Sequence, residues 1–565
     1  MRHRRLAALA AATAIALAAC GGDDSGADET SATTAPSADT TAAEGGSETT
    51  DGGADTTEAP ASPSGDDCTA TVTGSELNFA PYAPTASLDP LQSSGALAGG
   101  TDLLAIYDSL MRWDATANEW VPHVAESLAS NADFTEWTLK LREGVTYSNG
   151  DPMVAQDVLD NLNRMLGQGR NASRGMIARI DLANSTATDE RTVVFKLLKP
   201  WSNFGYLFAD APGMIVNPAV GAATDSAGQS VIGNDPTGAG VGPYTVEKWA
   251  PGESPYLVLK ARPDYWGGAP CIETINFVGI PQDGPKYESL QVGELDVAFL
   301  RSPDVIAEAR DSGEYDEFFE LQSVGASILI NQGVGTFDPI GQDLRFRKAV
   351  YAALDRDAIS QRAFGGKLLA QEGIVQEQSR WFTEGQPAPE QGLDLAKSLV
   401  EELKAEGWDG TVRLTCPSTV PDEPIAYEAA LEAAGMEVDA QVVDSATHIA
   451  AVAVNRDFDL ACWGMNVSDS ALIRQIGFNF QSDSPSNRIG YKNPEFDAAI
   501  DELYAAPDDD ARRAAVAKMA ELYAADVPMA VVGAVEEGVM IRDGVTGVLP
   551  TQQTMFMFQD ASIDS

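Results

Sequence analysis

Residues 21–67 are drawn from Gly, Ala, Ser, Thr, Pro, Asp and Glu alone, so nothing in this stretch can build a hydrophobic core. The apolar surface it could bury is too small to offset the entropy of ordering the chain, and its carboxylates repel one another. We therefore expect a disordered acidic tether over 21–67, which confines the fold to residues 68–565. Its Ser/Thr and Pro content also permits sugar attachment. Ahead of the tether, Arg2, His3, Arg4 and Arg5 precede an apolar run from Leu6 to Ala19, which leads into Cys20-Gly21. A basic start, a short apolar centre and small residues before a cleavage point make residues 1–20 a secretory signal peptide with a lipoprotein-type processing site, Leu17-Ala18-Ala19-Cys20. The run is too short to cross a bilayer as a helix. Cleavage before Cys20 would leave that cysteine as a lipid anchor. The folded body is then expected outside the cytoplasm, on the outer face of the cytoplasmic membrane, in a periplasm or cell-wall space.

Charge narrows the partners. Acidic residues number 84 against 37 Lys and Arg, a formal net charge of −47, whereas nucleic-acid binding needs clustered cations. No nucleic-acid partner is expected, and an acidic excess spread along the chain fits a soluble monomer. With Cys20 set aside, Cys68, Cys271, Cys416 and Cys462 remain. Four cysteines in an oxidising compartment suggest two disulfides, in one of three pairings. There is no Cys-x-x-Cys, and past the signal the only histidines are His123 and His448, so no metal site, cofactor or histidine base is expected. Gly-x-Ser-x-Gly and His-Glu-x-x-His are also missing, which leaves an extracytoplasmic hydrolase without support and no catalytic residue to assign.

Short β-branched or aromatic runs alternate with helical stretches, the pattern of mixed α/β lobes. Strands are expected at Thr69–Val72, Trp137–Leu141, Thr192–Leu197, Tyr244–Lys248, Tyr256–Lys260, Thr274–Ile280, Ser327–Asn331, Thr411–Thr415 and Phe458–Cys462. Helices are expected from Asp157 to a stop at Gly167, from a cap at Asp343, from a cap at Asp394 to Gly407, and from Asn493-Pro494.

From Ser87-Leu88-Asp89-Pro90 onward, blocks of sequence resemble the family 5 solute-binding proteins of ABC importers, which include oligopeptide, dipeptide and nickel receptors. In family order come Ile106-Tyr107-Asp108-Ser109-Leu110, Val121-Pro122-His123-Val124-Ala125-Glu126-Ser127, and Trp137-Thr138-Leu139-Lys140-Leu141-Arg142-Glu143-Gly144-Val145. Asn149-Gly150-Asp151-Pro152, Gly240-Val241-Gly242-Pro243-Tyr244, Tyr265-Trp266-Gly267-Gly268, Arg456-Asp457-Phe458-Asp459 and Tyr491-Lys492-Asn493-Pro494 follow. Two residues depart from the pattern. Val154 stands where the family commonly has a capping Thr, and His123 falls at a usually small position, where it reads as surface or core filler. The paired glycines around Val241 read as a tight turn.

The resemblance implies an α/β, bilobal periplasmic-binding-protein-like fold of type II, cluster C, with an extra subdomain in the first lobe. Lobe I would comprise residues 68–322 and 533–565, with the subdomain inserted at roughly 91–235, and lobe II residues 323–532. The chain would cross between lobes near Leu321–Ala326 and Ala530–Ala534. Pairing Cys68 with Cys271 and Cys416 with Cys462 keeps each disulfide inside one expected lobe. By the same resemblance the protein captures a peptide or peptide-like solute by hinge closure and hands it to ABC permease domains. A non-peptide solute such as a metal chelate, haem or sugar, or a sensing role, is the alternative. In the peptide-binding members an Asp shortly after a Trp pairs with the ligand's amino group. The matching stretch here is Trp463-Gly464-Met465-Asn466-Val467-Ser468-Asp469. Trp463 is expected to wall the ligand site, Asn466 to hold the usual Asp position without its charge, Asp469 to supply a nearby carboxylate, and Thr85 to border the cleft.

Overall fold

Two long strands, Tyr315–Ile330 and Met529–Arg542, carry the architecture, pairing antiparallel from Tyr315 opposite Arg542 to Leu329 opposite Met529. The computed structural model describes residues 70–93, 95–96, 99–167, 173–224, 230–334, 339–418, 422–484 and 486–564. The expected signal peptide, the tether, Cys20 and Cys68 lie outside these. In chain order the strands along the large sheet are β1 (Val72–Ala80), β2 (Tyr244–Trp249), β3 (Leu257–Ala261), β4 (Ile272–Phe277), β5 (Val297–Leu300), β6 (Tyr315–Ile330), β7 (Thr411–Pro417), β8 (Glu437–Val443), β9 (Leu460–Trp463) and β10 (Met529–Arg542). They lie side by side as β8-β7-β9-β6-β10-β5-β1-β4-β3-β2.

Strand direction creates the site. On one side β5, β1 and β4 are mutually parallel, and β5 meets β10 antiparallel, ending with Leu300 opposite Gly538. On the other side β7, β8 and β9 are parallel, and β9 meets β6 antiparallel, ending with Trp463 opposite Ser327. Both groups therefore aim their carboxyl ends at the middle of the long β6–β10 pair, and ligands of open α/β sheets bind beyond such ends. The pairing of β6 with β10 shifts between Gln322 and Ser327, where Val324 has a φ of +59°. Val467–Ser468 pairs with β6 at Gln322 and Ser323, and Leu369–Ala370 with β10 at Gly533 and Ala534.

The core follows the same division. Leu77, Phe79, Ile275 and Phe277 pack with Val539 and Phe556 on the β1 side, while Ile328, Val350, Leu414, Tyr427 and Val532 pack on the β7 side. A second sheet joins Ala125–Ser130, Glu136–Leu141, Thr192–Lys196 and Thr186–Ala187 in that order. Its core is continuous with that of the helices Leu472–Phe480, Pro494–Ala505 and Asp509–Asp526. Trp201 meets Tyr504 edge-on at 5.0 Å, and Arg179 pairs with Asp501 at 2.8 Å across that junction.

Several local expectations change. The first strand begins at Val72 rather than Thr69, because its buried residues, Leu77, Phe79 and Ala80, come later. The helix expected from an Asp394 cap starts at Leu393 behind Gly392, and Asp394 sits in the first turn, where its charge favours the positive helix end. The cap missing at Val154 is supplied from inside the helix: the Asp157 carboxylate accepts the Val154 N–H at 2.9 Å. Gly240 and Gly242 are required by close approach rather than by turn conformation, since a Cβ on Gly240 would lie 2.1 Å from the Ile106 carbonyl oxygen. His123 is buried, with Nε2 2.6 Å from the Asp108 carboxylate and the ring edge-on to Trp266.

Cys416 and Cys462 form a disulfide, and Cys271 is disulfide-bonded too; its expected partner Cys68 is not among the described residues. Residues 416 and 462 continue the parallel register of β7 with β9, where Leu414 faces Leu460 and Thr415 faces Ala461. The bridge closes a loop of sequence separation 46. Loop-closure entropy for such a loop gives a stabilisation of about 4 kcal/mol. Reduction, or Cys416→Ala with Cys462→Ala, is expected to lower the guanidinium midpoint accordingly, and an unchanged midpoint would count against the bridge.

Candidate functional site: the polar layer between the strand ends

Three charged side chains form a row across the sheet where the strand ends converge. Leu300 faces Gly538, so the next residue, Arg301, comes beside Glu537, and Glu537 faces Glu320 directly across β10 and β6. Directly opposed residues share a face of the sheet. Arg301 Nε lies 3.2 Å from Glu537 Oε2, and its Nη2 donates to Asn466 Oδ1 at 3.0 Å. Arg301 and Glu537 are both buried. Glu537 also accepts from the Thr554 hydroxyl at 3.4 Å, and Glu320 Oε1 accepts the Ser470 N–H at 3.0 Å.

A turn near the C-terminus closes the layer from above. Gln553 and Thr554 both adopt left-handed backbone, with φ of 57° and 54°. That turn aims the Gln553 N–H at the Ser470 hydroxyl, 3.0 Å away, and its side-chain amide at Asp210, 2.9 Å away, while Arg474 donates to its carbonyl. Arg474 Nε lies 3.6 Å from Asp210, itself buried.

Burial sets the proton affinities. It pushes Glu320 up to about 7, with the Asp469 and Glu537 charges adding to the shift, and pushes Glu423 up to about 7 at the start of the helix Asp422–Ala433. Glu537 is raised by burial as well, with the Arg301 charge opposing. The sign for Glu320 is then fixed: its folded-state pKa exceeds the ordinary value of 4.5, so the folded protein binds the proton more tightly than the unfolded chain. Stability attached to this group is present below pH 4.5 and lost as pH rises through about 7. Glu320→Gln, which mimics the protonated form, is expected to be more stable than wild type at pH 8, with the difference closing at pH 4.5. Urea midpoints at the two pH values check this; a constant difference would contradict it.

The four residues expected at the site each make a different set of contacts. Asn466, in left-handed backbone at φ +49°, joins Arg301 in the layer; Asn tolerates that backbone well. Asp469 lies beside it, with one carboxylate oxygen accepting from the Ser379 hydroxyl and the other from the Arg380 N–H. Trp463 is 7% exposed, stacked on His448 at 5.6 Å and covered by the Arg488 guanidinium at 4.9 Å. Thr85 lies beyond the end of β1, buried, with its hydroxyl donating to the Ser87 carbonyl at 3.0 Å and packing on Gly99. Sequence reading missed Arg301, Glu320, Glu537 and Gln553. The available signal was a charge ending or interrupting an apolar run, as Arg301 ends Val297–Leu300 and Glu537 interrupts β10.

Comparison with known proteins identifies the family and the fold. Residues 119–486 match the bacterial extracellular solute-binding proteins, family 5, middle region. The chain is 26% identical over 437 residues to Protein XP55 of Streptomyces lividans, covering 74% of this chain and 77% of that one. It is also 26% identical over 403 residues to the probable D,D-dipeptide-binding periplasmic protein DdpA of Escherichia coli, covering 69% and 74%. Among solved structures, the periplasmic binding protein DppA of Helicobacter pylori in complex with the peptide STSA superposes with a TM-score of 0.72 at 18% identity, covering 87% of this chain and 98% of that one. The protein belongs to the family 5 extracellular solute-binding proteins. Its fold is that of the bilobal α/β periplasmic binding proteins. Members of this family bind peptides or small ligands outside the cytoplasm and work with ABC permeases. Among the described residues no helix is long and apolar enough to cross a membrane.

Proposed function

We propose that this protein is the lipid-anchored receptor of an ABC importer, capturing a peptide or peptide-like solute and delivering it unchanged to the permease. The observation that carries the reading is the polar layer built where strand carboxyl ends from both sides converge on two connecting strands. Lobe I, residues 68–322 and 533–565 with the subdomain at roughly 91–235, and lobe II, residues 323–532, close about the interrupted pairing between Gln322 and Ser327. Closure is then paired with ligand capture, because only a ligand that contacts both lobes favours the closed form. Asn466, Asp469, Trp463 and Thr85 border the cleft, Cys20 carries the lipid, and the body works as a monomer that catalyses no reaction. Relatives named for peptides and dipeptides support the ligand class.

The test is a melt of the folded domain with and without a mixture of short peptides, followed by mass spectrometry of any solute that co-purifies. A ligand at one hundred times its Kd adds about 2.7 kcal/mol. No stabilisation by peptides, together with a co-purifying non-peptide solute, would replace the peptide reading with the alternative. Radiolabelled fatty acid incorporated into wild type but not Cys20→Ser tests the anchor.

A further inference from the structure

Among the described residues, the carboxylate row on the connecting strands has an ion pair at Glu537 and none at Glu320. Glu320 and Glu537 oppose each other directly, and like charges in that arrangement destabilise a sheet unless something neutralises them. Arg301 serves Glu537 from the far side and donates to Asn466, and its charge also acts on Glu423. Glu320 is served by Ser470, whose N–H donates to Oε1 and whose hydroxyl also contributes; its Oε2 is closed off from solvent and has no hydrogen-bond partner among the described residues. The Asp469 and Glu537 charges both act on it, and both are acidic.

A second unpartnered group lies beside it. Gln322 is two residues further along β6, hence on the same face as Glu320. It is 1% exposed, and its Nε2 has no hydrogen-bond partner among the described residues. A negatively charged acceptor and an amide donor thus stand side by side on one strand, at the point where the pairing of β6 with β10 breaks. The complementary group carries a cation next to a carbonyl oxygen, as an α-aminoacyl terminus does.

We propose that Glu320 and Gln322 form a subsite for the α-aminoacyl end of the ligand, Glu320 taking the ammonium and Gln322 the adjacent carbonyl. This rests on the interlobe cleft being the ligand site. It moves the ammonium from the position of Asn466, whose amide oxygen is committed to Arg301, to a buried carboxylate on the connecting strand. Charge-assisted bonds are roughly twice as strong as neutral ones, and a buried carboxylate that gains a cation no longer opposes closure. The ligand enters when the lobes part and is enclosed at the hinge itself.

The experiment uses two pools of the same random tripeptides, one with free amino termini and one N-acetylated, titrated into wild type, Glu320→Gln and Glu320→Asp. Agmatine, a cation without a peptide bond, is the third probe. Glu377→Gln, on an exposed residue outside the layer, is the control, and ligand-free melts report folding of each variant. The expected result is at least tenfold tighter binding of the free-amine pool by wild type and the control, lost in Glu320→Gln and retained in part by Glu320→Asp. Equal binding of both pools, or a preference that survives Glu320→Gln, overturns the subsite while leaving peptide capture intact. If neither pool binds but agmatine does, with loss in Glu320→Gln, the peptide reading falls and the cation site at Glu320 stands. No response to any of the three probes overturns the subsite.

Discussion

Arg301→Met is expected to cost about 4 kcal/mol of folding stability at pH 7.5, the largest effect of any single change in the layer. Arg301 is 8% exposed and Glu537 3%, so the guanidinium is the charge that makes a buried carboxylate tolerable. Without it Glu537 keeps, among the described residues, the Thr554 hydroxyl alone, and Asn466 loses its Arg301 donor. A methionine fills the volume but leaves Glu537 ionised without a partner, or forces it to take up a proton. Glu537 is already raised by burial, and losing Arg301 raises it further, so protonation should relieve the damage as pH falls. The loss is therefore largest above neutrality and shrinks toward pH 5. Adding Glu537→Gln to Arg301→Met removes the orphaned charge and is expected to recover much of the loss. Urea unfolding of the single and double variants checks this; an Arg301→Met protein as stable as wild type would remove the ion pair from the account.

Trp463→Ala should be nearly as damaging, at about 4 kcal/mol, because the ring is packed on both faces and leaves a cavity that only part of its surroundings can fill. His448 stacks on one side and Arg488 covers it from 4.9 Å, and burial pushes His448 down to about 4. The folded His448 is therefore neutral at physiological pH and regains its ordinary value near 6.5 on unfolding. Its contribution is intact above 6.5 and lost as pH falls from there toward 4. Removing the tryptophan opens His448 to solvent, so the variant should show an NMR-detected His448 titration nearer 6.5 and a weaker acid dependence from this group. Trp463→Phe, which keeps an aromatic face, should cost less than half as much. A Trp463→Ala protein that melts like wild type and has lost only ligand binding would assign the ring to the ligand instead.

Much of the fold was legible because local chemistry and the final structure agree. Asp343 and Asn493 cap the helices they were expected to cap, accepting the N–H groups of Arg345 and Glu495, both at 2.8 Å. The strand at Thr411 sits where its sequence points, whereas the glycines around Val241 answer to close packing on Ile106 rather than to the expected turn. The long strands were half-read. Ser327–Ile330 is apolar and looks like a strand, whereas Tyr315-Asp316-Glu317 looks like a solvated loop until β10 pairs with it. The site was less legible for the same reason on a longer scale. Glu320 and Glu537 meet only through pairing of segments more than two hundred residues apart, and each reads in isolation as the outward position of a strand. Asn466 was found through its resemblance to a family position, but its partner Arg301 arrives from the opposite side of the sheet. Nothing near Asn466 in sequence announces that its amide is already engaged.

Closure of two lobes on a solute about the β6 and β10 strands is measured by scattering. The solute released from purified protein by mild unfolding is added back to the refolded domain, residues 68–565, and small-angle X-ray profiles are recorded before and after saturation. The expected outcome is a smaller radius of gyration with solute bound, and loss of that compaction when a disulfide engineered between the lobes locks them. An unchanged radius of gyration at saturation, with binding verified by calorimetry, would contradict it.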